Sequence, residues 1–357
     1  MSANRITRGS AARFVAVLSL LLCGALGARA AAPAASRPAP TAADNLMRPE
    51  TNRAIENGLA YLKSQQNPDG SFGRGAYSRN VAVCSLAGLA FMTRGSTPGR
   101  GPHGEQVNRC LTFVLDHVRE SGYVIAPEAA SHGPMYGHGF ATLFLAEVYG
   151  MSSEPALRDK LVRAVDLIVR TQNEEGGWRY EPKRQDADIS VTICQIMALR
   201  AARNAGIFVP PETVDRCSEY VKRSQNADGG FMYQLTAPGD SRFPRSAAGV
   251  VALYSAGIYE GEEIEKGLDY LMQQLPQSNK ALQVEAHYFY GQYYAVQAMW
   301  QAGGERWRRY YPAIHDALLA RQRPDGAWFD QISAEYGTAM ACIVLQMPNN
   351  YVPIFHR

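Results

Sequence analysis

Four segments of the chain read Gln-x-x-x-Gly-x-aromatic: Gln66 to Phe72, Gln172 to Trp178, Gln225 to Phe231 and Gln322 to Trp328. No other feature restricts the fold as much, because self-similarity at a fixed period means one supersecondary unit copied along the chain. Successive Gln residues lie 106, 53 and 97 residues apart. The longer gaps are each about two periods, which implies two degenerate copies. One lies around Val118 to Tyr123 and keeps Gly122 without the Gln; the other begins at Gln274.

Every period has the same internal order. An amphipathic helix ends at the motif, as in Ile55-Leu59-Leu62 or Leu161-Val165-Ile168, with apolar residues at three- and four-residue steps. Pro210-Pro211-Glu212 supplies a helix start for the fourth copy. The motif glycine stops the helix, since it takes the left-handed conformation that helix ends require. A second helix follows that is apolar nearly all round, as from Val81 to Ala90 or Ala247 to Leu253, and a helix without a polar face has to be buried. The pattern predicts an all-α fold of two concentric layers, an (α/α)6 toroid over residues 51–350. Its outer helices are expected near Asn52 to Gln65, Glu105 to Arg119, Pro155 to Thr171, Glu212 to Ser224, Glu262 to Gln273 and Trp307 to Arg321. An open solenoid is the other solution, but it needs polar terminal repeats. The last inner helix, Glu335 to Met347, is as apolar as the rest, which favours closure.

The Gln-x-x-x-Gly-x-Trp/Phe pattern resembles the repeat of squalene and oxidosqualene cyclases and of protein-prenyltransferase β subunits, over about Arg53 to Met347. The resemblance implies that Gln66, Gln172, Gln225 and Gln322 tie neighbouring helix ends together. It implies also that Phe72, Trp178, Phe231 and Trp328 pack between hairpins. Both roles are structural, and the repeat itself specifies no reaction.

In a closed ring all inner helices run the same way, so their N-termini gather on one rim. There they favour an anionic or carboxylate-bearing ligand. The residues expected at that rim are Asn80, His138, Asp186, Asp188, Arg245, His287, Tyr288, Tyr290, Glu335 and Tyr336. Asp186-Ala187-Asp188-Ile189-Ser190 resembles the Asp-x-Asp-Asp-Thr-Ala element of class II terpene cyclases, in which the second aspartate protonates an alkene. Asp188 matches that acid, with Ile189 in place of the third aspartate and Ser190-Val191 in place of Thr-Ala. Its structural alternative is an N-cap for the amide of Ser190 or Val191. The resemblance also implies that cyclases of this class bind substrate between two barrels, and the single ring here weighs against that activity.

Other chemistries find less support. The prenyltransferase zinc site has an Asp-x-Cys at an inner-helix start; His287 could match its histidine, but Asp215-Arg216-Cys217 belongs to an outer helix. The histidines lack metal-ligand spacing, so neither metal nor cofactor is expected, although His138, Asp188 and His287 could share a rim. The run from His287 to Tyr294 carries five aromatics after the histidine, which suit core packing, an isoprenoid or a sugar. Glycan cleavage would need two flanking carboxylates, for which Asp188 and Glu335 are the candidates. The Gly-Cys-Gly-Glu-Gln segment of thioester domains is absent from the sequence.

Arg5, Arg8 and Arg13 precede an apolar run from Phe14 to Leu26 and an Ala28-Arg29-Ala30 cleavage pattern, the signature of an export signal over residues 1–30. An Ala/Pro-rich tether over 31–50 follows. Export to the periplasm or beyond is the expectation. Removing the four signal arginines from 36 basic residues leaves 32 against 33 acidic ones. Near-neutral charge without a basic run argues against nucleic acid, and the apolar run is too short to span a membrane. Cys84, Cys110, Cys194, Cys217 and Cys342 read as small core residues. The functional expectation is therefore an exported repeat protein that binds an isoprenoid, a saccharide or a protein partner through its cavity or rim. Its rival is an enzyme with Asp188 as general acid. Exposed, unperturbed rim carboxylates would mark the binding module, and paired acids in a closed pocket the enzyme.

Overall fold

The computed structural model describes residues 46–73, 75–275 and 286–356. The export signal, most of the tether and most of the motif beginning at Gln274 lie outside the described residues. The outer helices are α1 (Pro49–Gln65), α3 (Gly104–Asp116), α5 (Leu157–Thr171), α7 (Pro211–Arg223), α9 (Glu262–Met272) and α11 (Gly304–Arg321). The inner ones are α2 (Val81–Met92), α4 (Pro134–Tyr149), α6 (Ile189–Asn204), α8 (Phe243–Ser255), α10 (Tyr288–Ala302) and α12 (Ala334–Leu345). All six outer helices stand where the periodicity predicts them. The largest shift at a C-terminus is in α3, which stops at Asp116 because Val118 pairs with Val124 across the degenerate motif. Gln66 pairs in the same way with Phe72, and Gln225 with Phe231. Among the described residues these isolated bridges form no sheet.

The motif residues act as the repeat implies. Gln172 Nε2 donates to the Gly176 carbonyl and to the Thr213 carbonyl of the next outer helix, each at 2.9 Å. Gln66 and Gln225 repeat this with Gln106 and Glu263. Gln322 donates to the Ala54 carbonyl of α1 at 2.8 Å, so the same bond that joins successive hairpins also joins the last to the first. Trp178 and Trp328 are buried, and each indole N–H donates at 2.8 Å to a carbonyl ten residues earlier, Ile168 or Leu318. Gly176 has φ 102°, and a methyl group there would overlap the carbonyl oxygen of Arg216 on α7. Glycine is required twice over, by conformation and by close approach.

The inner helices pack in the order α2, α4, α6, α8, α10, α12 and back to α2. An open cavity is one expectation for the centre, yet side chains from non-adjacent inner helices meet there. The Tyr294 hydroxyl lies 3.3 Å from Cys194 Sγ, and the Tyr290 hydroxyl donates to the Ser190 carbonyl at 2.8 Å. Tyr293 packs edge-on to Phe140. At the C-terminal end of the ring, Val352, Ile354 and Phe355 are buried. Arg200 donates to the His356 carbonyl at 2.5 Å, tying the tail to α6. The five cysteines Cys84, Cys110, Cys194, Cys217 and Cys342 are free and buried.

Candidate functional site

Asp188 caps α6. Its Oδ1 accepts from the Val191 N–H at 2.8 Å, and its backbone N–H donates to the Trp178 carbonyl at 3.0 Å, so the repeat motif itself fixes the aspartate at the rim. The side chain is fully buried, and Oδ2 has no hydrogen-bond partner. Arg179 stands over it with Nε 3.6 Å from Oδ2, while its terminal nitrogen is paired with Asp186. Burial pushes the Asp188 carboxyl up to about 7, outweighing the Val191 and Ser190 amides, the Arg179 charge and the nearby Tyr233 hydroxyl. The Tyr233 hydroxyl draws the acidity the other way without completing a hydrogen bond to Oδ2. Near neutral pH a substantial share of the molecules thus carries Asp188 protonated.

Tyrosines wall this acid. Tyr233 and Tyr180 share a hydroxyl–hydroxyl hydrogen bond of 2.6 Å. Tyr136 lies edge-on to Tyr290, which reaches from α10 across to the carbonyl of Ser190. A small recess between the starts of α2 and α4 is lined by Asn80, Val81, Ala129 and Gly137 among others, and by neither Asp188 nor these tyrosines.

The other expected rim residues divide. Asp186 joins Asp188 through Arg179, and its side chain is 43% exposed. Tyr290 and Tyr336 are buried toward the ring centre. His138 does not open onto the rim. It sits in the second turn of α4, fully buried, with Nδ1 accepting from the Val124 N–H at 3.2 Å and Nε2 3.2 Å from the Ala164 carbonyl. It fills the place held by the hydroxyls of Thr192, Ser246 and Thr338, which accept the equivalent amides of Trp178, Phe231 and Trp328. Burial holds His138 down at about 3, so it is a neutral structural bridge. Arg245 is spent on the carbonyls of Phe231 and Asp240, locking its own loop. Tyr288 turns outward beneath Arg321 of α11, 4.0 Å from its ring centre. His287, at φ 61°, is exposed at the start of α10. Glu335 sits beside Gly73, on the helix three positions round the ring from α6. The shared His138–Asp188–His287 site and the Asp188–Glu335 pair are therefore not assembled. Among the described residues no cluster of three metal-ligating side chains occurs, and no helix is long and apolar enough to cross a membrane.

Sequence reasoning passed over Arg179, Tyr136, Tyr180 and Tyr233. Three of these carried a signal: Arg179 follows the motif aromatic directly, and Tyr180 and Tyr233 each stand two residues after one, Trp178 and Phe231. The repeat register puts that second position at the rim.

Six hairpins closed by Gln322, with a buried acid at the inner-helix rim, define an α/α toroid. The chain belongs to the prenyltransferase alpha-alpha toroid domain family, which it matches over residues 13–163 and 140–278. It is similar to drimenyl diphosphate synthase from Streptomyces showdoensis, 28% identical over 188 residues, covering 51% of this chain and 33% of that protein. The match thus spans about a third of the relative's length. Among solved structures, the type II terpene cyclase MstE from Scytonema, bound to merosterolic acid A, superimposes with a TM-score of 0.60 at 15% identity. That alignment covers 85% of this chain and 98% of MstE. Cellobiose 2-epimerase from Bacillus thermoamylovorans B4167 superimposes with a TM-score of 0.61 at 12% identity, over 84% and 99% of the two chains. At these identities the likeness establishes the fold. The alignment leaves almost none of the MstE chain outside a ring of this size.

Proposed function

We propose that this protein is an acid catalyst that protonates an isoprenoid double bond with Asp188, at the rim formed by the inner-helix N-termini. The observation that carries the reading is the state of Asp188: a fully buried carboxyl, pushed up to about 7, whose Oδ2 takes no hydrogen bond and faces Arg179 at 3.6 Å. A binding module predicts exposed, unperturbed carboxylates at this rim, and Asp188 is the reverse; the paired acids expected of an enzyme are not assembled, since Asp186 is 43% exposed and paired with Arg179. Alkene protonation needs a neutral carboxyl in dry surroundings. In class II cyclase-like motifs like charges keep the acid neutral; here burial does so, which accounts for Ile189 standing where a third aspartate would be. Tyr136, Tyr233 and Tyr290 stand around the carboxyl, and aromatic rings beside a developing carbocation stabilise it. A glycan-cleaving role is less well supported, because Glu335 belongs to the far side of the ring. The relative named a drimenyl diphosphate synthase and the MstE fold agree with an isoprenoid substrate.

The test is incubation of the full chain with farnesyl and geranylgeranyl alcohols and diphosphates, with gas chromatography–mass spectrometry of the extracts. Cyclised isomers or their hydrates are expected from the wild type and none from Asp188→Asn, which keeps the Val191 cap and the fold. Linear chains returned unchanged by a folded wild-type protein would overturn the reading.

A further inference from the structure

The opposite mouth of the ring, where the inner helices end, is closed by the segment that follows α12. Val352, Ile354 and Phe355 are buried there, while Tyr351, Pro353 and His356 face outward. Phe355 meets Tyr293 edge-on with ring centres 6.4 Å apart, and Tyr293 in turn meets Phe140 and Met197. The segment thus rests on the side chains that fill the ring centre. The ring is complete upstream of it, through the Gln322 bond to Ala54 and the packing of α12 on α2.

Two charged side chains hold this segment by its main chain. Arg200 of α6 donates to the His356 carbonyl at 2.5 Å and to the Tyr254 carbonyl at 3.4 Å. Glu147, on the same face of α4 as Tyr136 and Phe140, accepts from the Ile354 N–H at a long 3.4 Å. Glu147 is 5% exposed and Arg200 6%, so both charges are buried under the segment. At the same end α2 and α12 finish on Phe91, Met92, Val344 and Leu345, all buried and apolar. Glu147 and Arg200 break that lining. Buried charges destabilise the closed mouth, and water solvates both as soon as the segment lifts, so they favour a mouth that opens. Burial accordingly pushes the Glu147 carboxyl up to about 7.

We propose that this mouth is a binding site for an amphiphile with an anionic head, occupied in the free protein by residues 352–356 as a displaceable plug. The ligand's chain takes the place of Ile354 and Phe355 against Tyr293. Its head takes Arg200 from the His356 carbonyl, so an ion pair replaces a bond to a neutral oxygen. Glu147 loses the Ile354 N–H and gains water. The site stands independently of the chemistry at Asp188, which caps the other end of α6, about 18 Å away at 1.5 Å per residue.

Hydrogen exchange and calorimetry on the full chain test this with dodecyl phosphate below its micelle concentration, a saturated chain with no double bond to protonate. The amides of Ile354, Phe355 and His356 are bonded to Glu147, Val352 and Pro353 when the plug is seated. Saturating probe should speed their exchange by about tenfold or more. Phe355→Ala should bind the probe about tenfold more tightly, because the ligand no longer works against a closed mouth. Dodecyltrimethylammonium should bind about tenfold more weakly than dodecyl phosphate, since Arg200 repels its head. Unchanged exchange of the three amides at saturation, or weaker binding by Phe355→Ala, overturns the plug. Equal affinity for the two probes overturns the role of Arg200, and inorganic phosphate acting as strongly as dodecyl phosphate overturns the apolar chain. Because the probe carries no alkene, failure here leaves the reaction proposed for Asp188 standing, and prenyl chains returned unchanged in that assay leave the plug standing.

Discussion

Asp188→Asn should make the protein more stable at alkaline pH and leave it nearly unchanged in acid. Burial raises the carboxyl from 3.8 to about 7, and at about 1.36 kcal/mol per pH unit the folded state penalises ionised Asp188 by about 4 kcal/mol. A folded-state pKa above the unfolded one means that Asp188 contributes stability fully below about 3.8. That contribution is lost as pH rises through about 7, and it is flat beyond. Asparagine removes the ionisation but still accepts the Val191 N–H, so the cap survives. Urea unfolding of wild type and variant at pH 5 and pH 8.5 measures the difference directly. The variant should gain about 2 to 4 kcal/mol relative to wild type between the two pH values. Equal pH slopes for the two proteins would refute the claim that Asp188 is held neutral by burial.

Glu147→Gln should show the same sign, since burial raises Glu147 from 4.5 to about 7 where it accepts from the Ile354 N–H; the check is the same urea series. His138→Gln should act oppositely, protecting against acid: a histidine held at about 3 costs stability as pH falls below its ordinary 6.5, and a melt at pH 4.5 reads the gain. Trp178→Ala should cost about 3 to 5 kcal/mol in reversible denaturation, because it empties a buried site and removes the indole hydrogen bond to the Ile168 carbonyl. Gly176→Ala should cost about 2 kcal/mol or more in the same assay, and a neutral result would show that the chain can relax away from Arg216.

The repeat made most of the fold legible in the sequence. Gln, Gly and the aromatic bond to backbone groups at fixed offsets and to the same site on the next hairpin, so their roles recur with the period and can be read from it. Ring closure could be read too, and Gln322 reaching Ala54 is its physical form. Asp188 as the cap of α6 was also legible, because capping is local. What lies opposite a side chain was not. His138, Arg245 and Tyr288 occupy rim positions by sequence count, yet helix rotation sends them to Val124, Phe231 and Arg321. Whether Asp188 keeps its proton was likewise decided only by tertiary structure. Desolvation and proximity depend on groups distant in the chain: Tyr233 lies nearly one repeat away, and Tyr290 reaches the same helix start from α10. No local pattern encodes how much water those side chains displace.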